Sequence, residues 1–403
     1  MKLVIIGNGI AGTTTARLVA DMNAAIETDI YTDESYLYYP RPRLIDLVSG
    51  KIDAPAMPQY GDEWYQKRGI RVHTSSPVVK IQPQTHQVTL QDGSVIPYDR
   101  LVLANGASSF IPPFEGSSLD GVLALRSLDD ALQLRERSQL ARNTVILGGG
   151  LLGLDLAMAL KTNCARVTVV EVLPRLLPRQ LDEGGARMLT TMVTRRGVDV
   201  ITSDSCERVC GESSAREIVL KSGRMLPADL VAVSAGVRPN LQLAQDAGIA
   251  CNRGVLVDAH LQTSAPDIYA IGDVAEFNQR VWGIIPAALA QAKIAAAVVR
   301  GDLSGTYEDI VPSTTLKVTG IDLTSIGQVT PEGAGFGQVI QQDETAGVYK
   351  KLVIQNGIVV GAILLGDRLS IRLVNTLIEK QVDVTGYEDR LLDSGFKVED
   401  IIR

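Results

Sequence analysis

The apolar and polar positions of this chain repeat. Residues 2–12 read KLVIIGNGIAG and residues 143–153 read NTVILGGGLLG, each an apolar run ending in a glycine-rich turn. Each apolar run reads as a short strand leading into the turn. A helix-like segment follows each turn, TTTARLVADM (13–22) and LDLAMALKT (154–162). Both halves then return to a strand with an acidic end. ETDIYTDE closes on Asp33 and Glu34, and ARVTVVE closes on Glu171.

Further strands are predicted at LVLANGA (101–107) and LVAVSAGVRPN (230–240), each after a β-rich stretch with a turn signal, QDG (91–93) and KSG (221–223). IYAIGDVAE (268–276) reads as a short strand ending at Gly272 and Asp273, and IPAALAQAKIAAA (285–297) as a helix with Pro286 in its first turn. From about residue 311 the pattern changes. GQVIQQ, VYKKLVIQ and IVVGAILLG are strand-like, Asn356-Gly357 signals a two-residue hairpin, and RLSIRLVNTLIEK (368–380) predicts a helix. The expected fold is α/β, with two Rossmann-like dinucleotide-binding domains and a small C-terminal α+β domain. The expected boundaries are 1–112 with 249–310, then 113–248, then 311–403.

Each turn has the form G-x-G-x-x-G. Gly7 and Gly148 permit a tight turn out of the strand. Gly9 and Gly150 let backbone amides approach a pyrophosphate, and Gly12 and Gly153 let helix and strand pack closely. The helix N-terminus offers free N–H groups and a positive dipole to the phosphates. The acidic strand ends can accept ribose hydroxyls. Two such sites imply two dinucleotides, and the usual pair is a flavin and a nicotinamide. Asp273 beside Gly272 suits a ribityl hydroxyl, and the helix opened by Pro286 would turn its dipole toward the flavin ring.

Composition narrows the function classes. The 403 residues carry a net charge of −7 and only 4% aromatics, which disfavours nucleic-acid binding. No run of about 18 apolar residues predicts a membrane span, and a cytoplasmic protein is expected. The four cysteines are Cys164, Cys206, Cys210 and Cys251. Cys206 and Cys210 lack a second pair or a nearby histidine, so ordinary thiols are expected and no metal site is predicted. The three histidines, His73, His86 and His260, sit in no flavin motif and read as structural.

GNGIAG, ANGAS, GGGLLG, SAGVRPN and IYAIGDVAE stand in the order and spacing of the FAD-dependent pyridine nucleotide-disulfide oxidoreductases, which the chain resembles along essentially its whole length. YYPRPRL, WGIIPAALAQA, TTLKVTGIDLTSIG and YKKLVIQNGIVVGAILLGD look most like the NADH:rubredoxin reductase branch, related to the flavin domain of nitrite reductase large subunits. The resemblance implies FAD held by Gly7, Gly9, Ile10, Ala11, Gly12, Asp33, Glu34, Arg41, Pro42, Val79, Ala104, Asn105, Gly106, Gly272, Asp273, Pro286 and Ala287. It implies NADH held by Gly148, Gly150, Leu151, Leu152, Gly153, Asp155, Glu171 and Gly236. Asp155 stands where relatives carry glutamate near the nicotinamide. Glu171 favours NADH over NADPH, since a 2′-phosphate would meet a like charge.

The implied activity is electron transfer from NADH through FAD to a small carrier such as rubredoxin or ferredoxin, by a monomer or homodimer. No side chain is expected to act as catalyst beyond a nicotinamide contact from Asp155. Lys317, Lys350, Lys351, Arg368 and Arg280 are the expected basic docking patch for such an acidic carrier. The alternatives are an NADH oxidase or a disulfide- or peroxide-type reductase, and a non-catalytic FAD-binding scaffold. The reductases among these need a flavin-proximal cysteine. The stretch YYPRPRLIDL (38–47) has none, and Asp46 stands where some relatives carry a flavin-contacting lysine.

Overall fold

The computed structural model describes all residues except 23–24, 310–312, 319, 332, 394 and 402–403; for 313–318 it describes the backbone alone. The chain forms two compact units. The first comprises Met1–Leu44, Ile52–Ser109 and Gly236–Ile310, the second Ile45–Lys51, Phe110–Ala235 and Val311–Arg403.

The first unit is built on a five-stranded parallel sheet, in spatial order Ile268–Ala270, Arg100–Leu103, Lys2–Ile6, Glu27–Tyr31 and Ile70–His73. Alternate residues of Lys2–Ile6 explain its unbroken apolar run. Leu3 and Ile5 face Ala16 and Val19 of the helix Ile10–Met22 and Ala288 and Ala295 of the helix Ile285–Val299. Val4 and Ile6 face the opposite core, with Val88 and Leu90 of the antiparallel sheet Val78–Gln82, Gln87–Leu90 and Val95–Pro97. A strand covered on both sides has no place for polar residues. The segment from Gly236 to Gly248 packs in this unit. Its strand Val237–Pro239 pairs antiparallel with Ala107–Ser109, and Ala244 reaches the core.

The second unit repeats the scheme. Its parallel sheet runs Val198–Thr202, Arg166–Glu171, Asn143–Leu147, Leu230–Val233 and Val122–Ala124, with an antiparallel three-stranded sheet at 206–227. The duplication extends to single hydrogen bonds. Gly7 N–H donates to Tyr31 O and Gly148 N–H to Val170 O, both at 2.8 Å. Ala104 N–H donates to Ile6 O and Ser234 N–H to Leu147 O, again both at 2.8 Å.

The C-terminal part is an antiparallel sheet in the order Ser313–Val318, Ile321–Gly327, Ile358–Leu365, Val348–Gln355 and Phe336–Asp343. The hairpin at Asn356-Gly357 forms with both residues at positive φ, 51° and 76°. The three strands expected from the tail are joined by an antiparallel pair, Ser313–Val318 with Ile321–Gly327, that the pattern did not single out. The helix Ile371–Glu379 packs Val374 and Leu377 into a core with Leu352, Ile354 and Leu364. It starts later than its sequence pattern predicts, because Asp367 accepts from the N–H groups of Leu369 and Ser370 and holds them in a turn.

Candidate functional site

Both glycine turns lie at the carboxyl ends of their parallel strands, where strand order reverses and α/β sheets bind ligands. The three glycines of each turn do different work. A Cβ on Gly7, at φ +108°, would come within 2.3 Å of Ala104 O, and one on Gly12 within 2.1 Å of Gly7 O. In the second turn Gly148, at φ +122°, would meet Ser234 O at 2.3 Å and Gly153 would meet Gly148 O at 2.0 Å. The middle glycines differ, for a Cβ on Gly9 or Gly150 meets nothing within 4 Å. Each loop therefore carries an open face over a helix N-terminus, Ile10–Met22 or Leu151–Lys161. An open backbone face over a helix N-terminus is what a pyrophosphate requires, so the residues present fit a dinucleotide in each fold.

Around the first cradle, Ala11 lies against Gly272, whose added Cβ would sit 3.1 Å from that of Ala11. Gly272 N–H donates to Gln291 Oε1 at 2.7 Å, from one turn beyond Pro286 and Ala287. Arg41 Nη2 pairs with Glu34 Oε1 at 2.7 Å, and the Tyr39 hydroxyl donates to the other oxygen of Glu34. Burial works against the charge of Arg41. Tyr39, Glu34 and Asp273 outweigh it and hold the guanidinium above its ordinary pKa. Pro40 and Pro42 frame the turn that presents this arginine. Ile10 is half-buried at the helix start, and Asp33 is exposed. Ala104, Asn105 and Gly106 follow the crossover strand. Val79 is 51% exposed on an antiparallel strand, outside the parallel sheet that carries the cradle.

The second cradle is organised by Glu171, only 7% exposed. Its Oε2 accepts from Gly149 N–H at 2.6 Å and its Oε1 from Leu173 N–H at 2.9 Å. Leu152 and Leu173 are exposed apolar surface beside it. Leu151 and Asp155 lie on the helix of the turn. Gly236 opens the last segment of the first unit, two residues past Ser234. The acidic positions of the two folds are not equivalent. Glu171 ends its strand, one residue past Val170, whereas Thr32 holds that place after Tyr31 and the acids follow as Asp33 and Glu34.

Gln291, Tyr39 and Asn240 were not singled out by sequence. Gln291 is a lone buried polar residue in an alanine-rich helix, a signal that could have found it. Four of the five expected docking cations are paired with carboxylates of this chain. Lys350 pairs with Asp367, Lys351 with Asp182, Arg368 with Asp322 and Arg280 with Asp309. Lys350 and Lys351 are also 13% and 4% exposed at the side chain. The Lys317 side chain lies outside the described residues. Among the described residues no group of histidine, cysteine and carboxylate side chains is placed to hold a metal, and no helix is long and apolar enough to cross a membrane. Burial, then the neighbouring Cys210 and Glu207, pushes the Cys206 thiol up to about 11. His73 is held by Asp29 at 2.8 Å and stacks on Tyr31.

Residues 1–292 match the pyridine nucleotide-disulphide oxidoreductase family, and residues 312–382 the rubredoxin NAD+ reductase C-terminal domain. The chain is 33% identical over 394 residues to an assimilatory nitrate reductase electron transfer subunit of Bacillus subtilis, covering 97% of this chain and 51% of that protein. It is 31% identical over 370 residues to an NADH-rubredoxin oxidoreductase of Clostridium acetobutylicum, covering 91% of this chain and 93% of that one. A ferredoxin reductase structure from Rhodopseudomonas palustris matches with a TM-score of 0.82 at 27% identity, over 91% of each chain. The chain spans about half the length of the nitrate and nitrite reductase relatives from Bacillus subtilis. With two dinucleotide cradles on a duplicated parallel sheet and an antiparallel C-terminal sheet, this chain belongs to the pyridine nucleotide-disulphide oxidoreductase family, whose members are NAD(P)H-dependent, FAD-containing oxidoreductases, and it carries that family's rubredoxin reductase-type C-terminal domain.

Proposed function

We propose that this chain carries FAD on its first cradle and NADH on its second, and passes electrons from NADH to a small one-electron carrier such as rubredoxin or ferredoxin. The observation that carries this reading is the second cradle, complete with an open Gly150 face and a buried acidic strand end. A chain that merely stored a flavin has no use for it. FAD, when bound, supplies the exchange between a two-electron donor and one-electron acceptors. The chain supplies position and charge. Gly9 and the helix behind it would hold the pyrophosphate. Arg41 would offset its charge, and Asp273 would take a ribityl hydroxyl. Glu171 would hold the adenosine ribose and disfavour a 2′-phosphate. In this reading residues 1–112 and 249–310 belong to the FAD domain, 113–235 to the NADH domain and 311–403 to an accessory domain, while 236–248, expected with the NADH domain, pack with the first unit.

A second class of acceptor is a nitrate- or nitrite-reducing partner, supported by the Bacillus subtilis relatives. A disulfide or peroxide acceptor has less support. Cys164 is buried and hydrogen-bonded to Thr144 and Ser138, and Cys251 packs beside the core behind the first sheet. The test is anaerobic titration of the FAD-loaded protein with NADH. The flavin band should bleach, and rubredoxin, ferredoxin, a disulfide, a peroxide or a nitrite-reducing partner is then added to find which restores it. A band that stays yellow with NADH sinks the reductase reading.

A further inference from the structure

The loop between Glu171 and the helix Glu183–Arg195 covers the second cradle. Leu176 packs over Gly149, where an added Cβ would come within 2.6 Å of Leu176 Cδ2. Leu177 N–H donates to Gly149 O at 3.3 Å. Leu177 is fully buried at φ +47°, a left-handed conformation that a branched side chain disfavours. Such a conformation persists only where its surroundings over-determine it.

Those surroundings include the C-terminal sheet. Ser325 Oγ donates to Gln180 O at 2.9 Å, Tyr349 Oη to Asp182 Oδ2 at 2.7 Å and Lys351 Nζ to Asp182 Oδ2 at 2.9 Å. All three side chains are buried. Asp182 in turn accepts from Gly185 N–H at 2.9 Å and caps the helix. The Tyr349 ring lies against Gly184 and Gly185, a glycine pair otherwise ill-suited to a helix start. From inside the loop, Arg175 Nε donates to Leu181 O.

We propose that Ser325, Tyr349 and Lys351 are positioning residues for the nicotinamide coenzyme: the C-terminal domain braces residues 180–182, which holds the strained Leu177 turn and so the Gly149 loop in its binding form. This rests on the reading of the second cradle as the NADH site. It gives the C-terminal domain, which has no chemical motif of its own, a part in coenzyme affinity.

The test uses the full FAD-loaded protein and ADP-ribose as probe, measured by calorimetry, with NADH kinetics on ferricyanide alongside. Tyr349→Phe combined with Ser325→Ala removes two hydrogen bonds and leaves no unpaired charge. It should weaken ADP-ribose binding about tenfold and raise the KM for NADH in parallel. kcat and the FAD content should hold. Lys351→Met should act in the same direction, and Lys351→Arg should restore part of the affinity. Should the double variant bind ADP-ribose as well as the parent while its Tm falls, the brace is structural only and the proposal is overturned. Should the parent itself fail to bind ADP-ribose, the coenzyme reading of the cradle falls and takes the brace with it.

Discussion

Asn105 and Asn240 clasp each other reciprocally. Asn105 Nδ2 donates to the Asn240 carbonyl at 2.9 Å, and Asn240 Nδ2 donates to the Asn105 carbonyl at 2.7 Å. Asn240 N–H also reaches Gly106 O, and Ser108 Oγ donates to Asn240 Oδ1 at 2.7 Å. The clasp sits beside Ala104, whose carbonyl packs against Gly7.

Asn240→Ala leaves the half-buried Asn105 carbonyl without its donor. A loss of about 1–3 kcal/mol in unfolding free energy is expected, from the usual cost of an unsatisfied group. FAD affinity should fall with it, since the turn beside Gly7 loosens. Urea unfolding of the apoprotein and FAD titration measure the two effects. An unchanged midpoint would mean that the strand pairing of Ala107–Ser109 with Val237–Pro239 holds the turn unaided.

Two glycines of the first turn should separate in mutation. Gly9→Ala adds a methyl group to open space and should leave the apoprotein as stable as the parent while greatly reducing bound FAD. Gly7→Ala collides with Ala104 and strains a positive φ, so it should destabilise the apoprotein as well. Tm of the apoprotein against flavin content distinguishes them. Equal flavin loading of Gly9→Ala and parent would show that nothing binds over that face.

Gly184→Ala would ordinarily stabilise a helix by about 1 kcal/mol. Here the new Cβ would lie 2.9 Å from the Tyr349 ring. Overpacking of about 1–3 kcal/mol is expected to win. A lower Tm is the expected result, and pairing the change with Tyr349→Leu should relieve it. A higher Tm would show that the ring moves freely.

Asp182 connects stability to pH. Burial pushes its pKa up, but Lys351, the Gly185 N–H and Tyr349 more than offset this and hold it below the ordinary 3.8. A carboxylate with a depressed folded pKa contributes stability that is complete above its unfolded value and is lost as pH falls through the folded one. The contribution should therefore persist at neutral pH and decline below 3.8. Urea midpoints for parent and Asp182→Asn down the acid range should converge at the acid end. Parallel curves would remove Asp182 from the acid response.

The cradle glycines were legible because each answers to a local demand. Gly7 and Gly148 need positive φ, and Gly12 and Gly153 need a missing Cβ one turn later. The acidic ends were legible in kind and not in register. Glu171 ends its strand, while Thr32 takes that place in the first fold and moves Asp33 and Glu34 onward. Lys350 and Lys351 read as a docking patch because charge in a strand-like run says nothing of the partner waiting opposite. The partners are Asp367 and, 169 residues back along the chain, Asp182.

By itself the sequence determined the duplicated parallel folds, the placing of both glycine turns at strand ends and the family to which the chain belongs. Periodicity and glycine placement are written residue by residue, and the backbone obeys them locally. Only the tertiary structure decided the Asn105–Asn240 clasp, the pairing of Arg41 with Glu34 and the brace of Tyr349 and Lys351 on Asp182. These depend on which side chains meet after the chain folds back on itself. Spacing along the chain does not specify that meeting, because hydrogen bonds and ion pairs act over a few ångströms of space regardless of how many residues lie between.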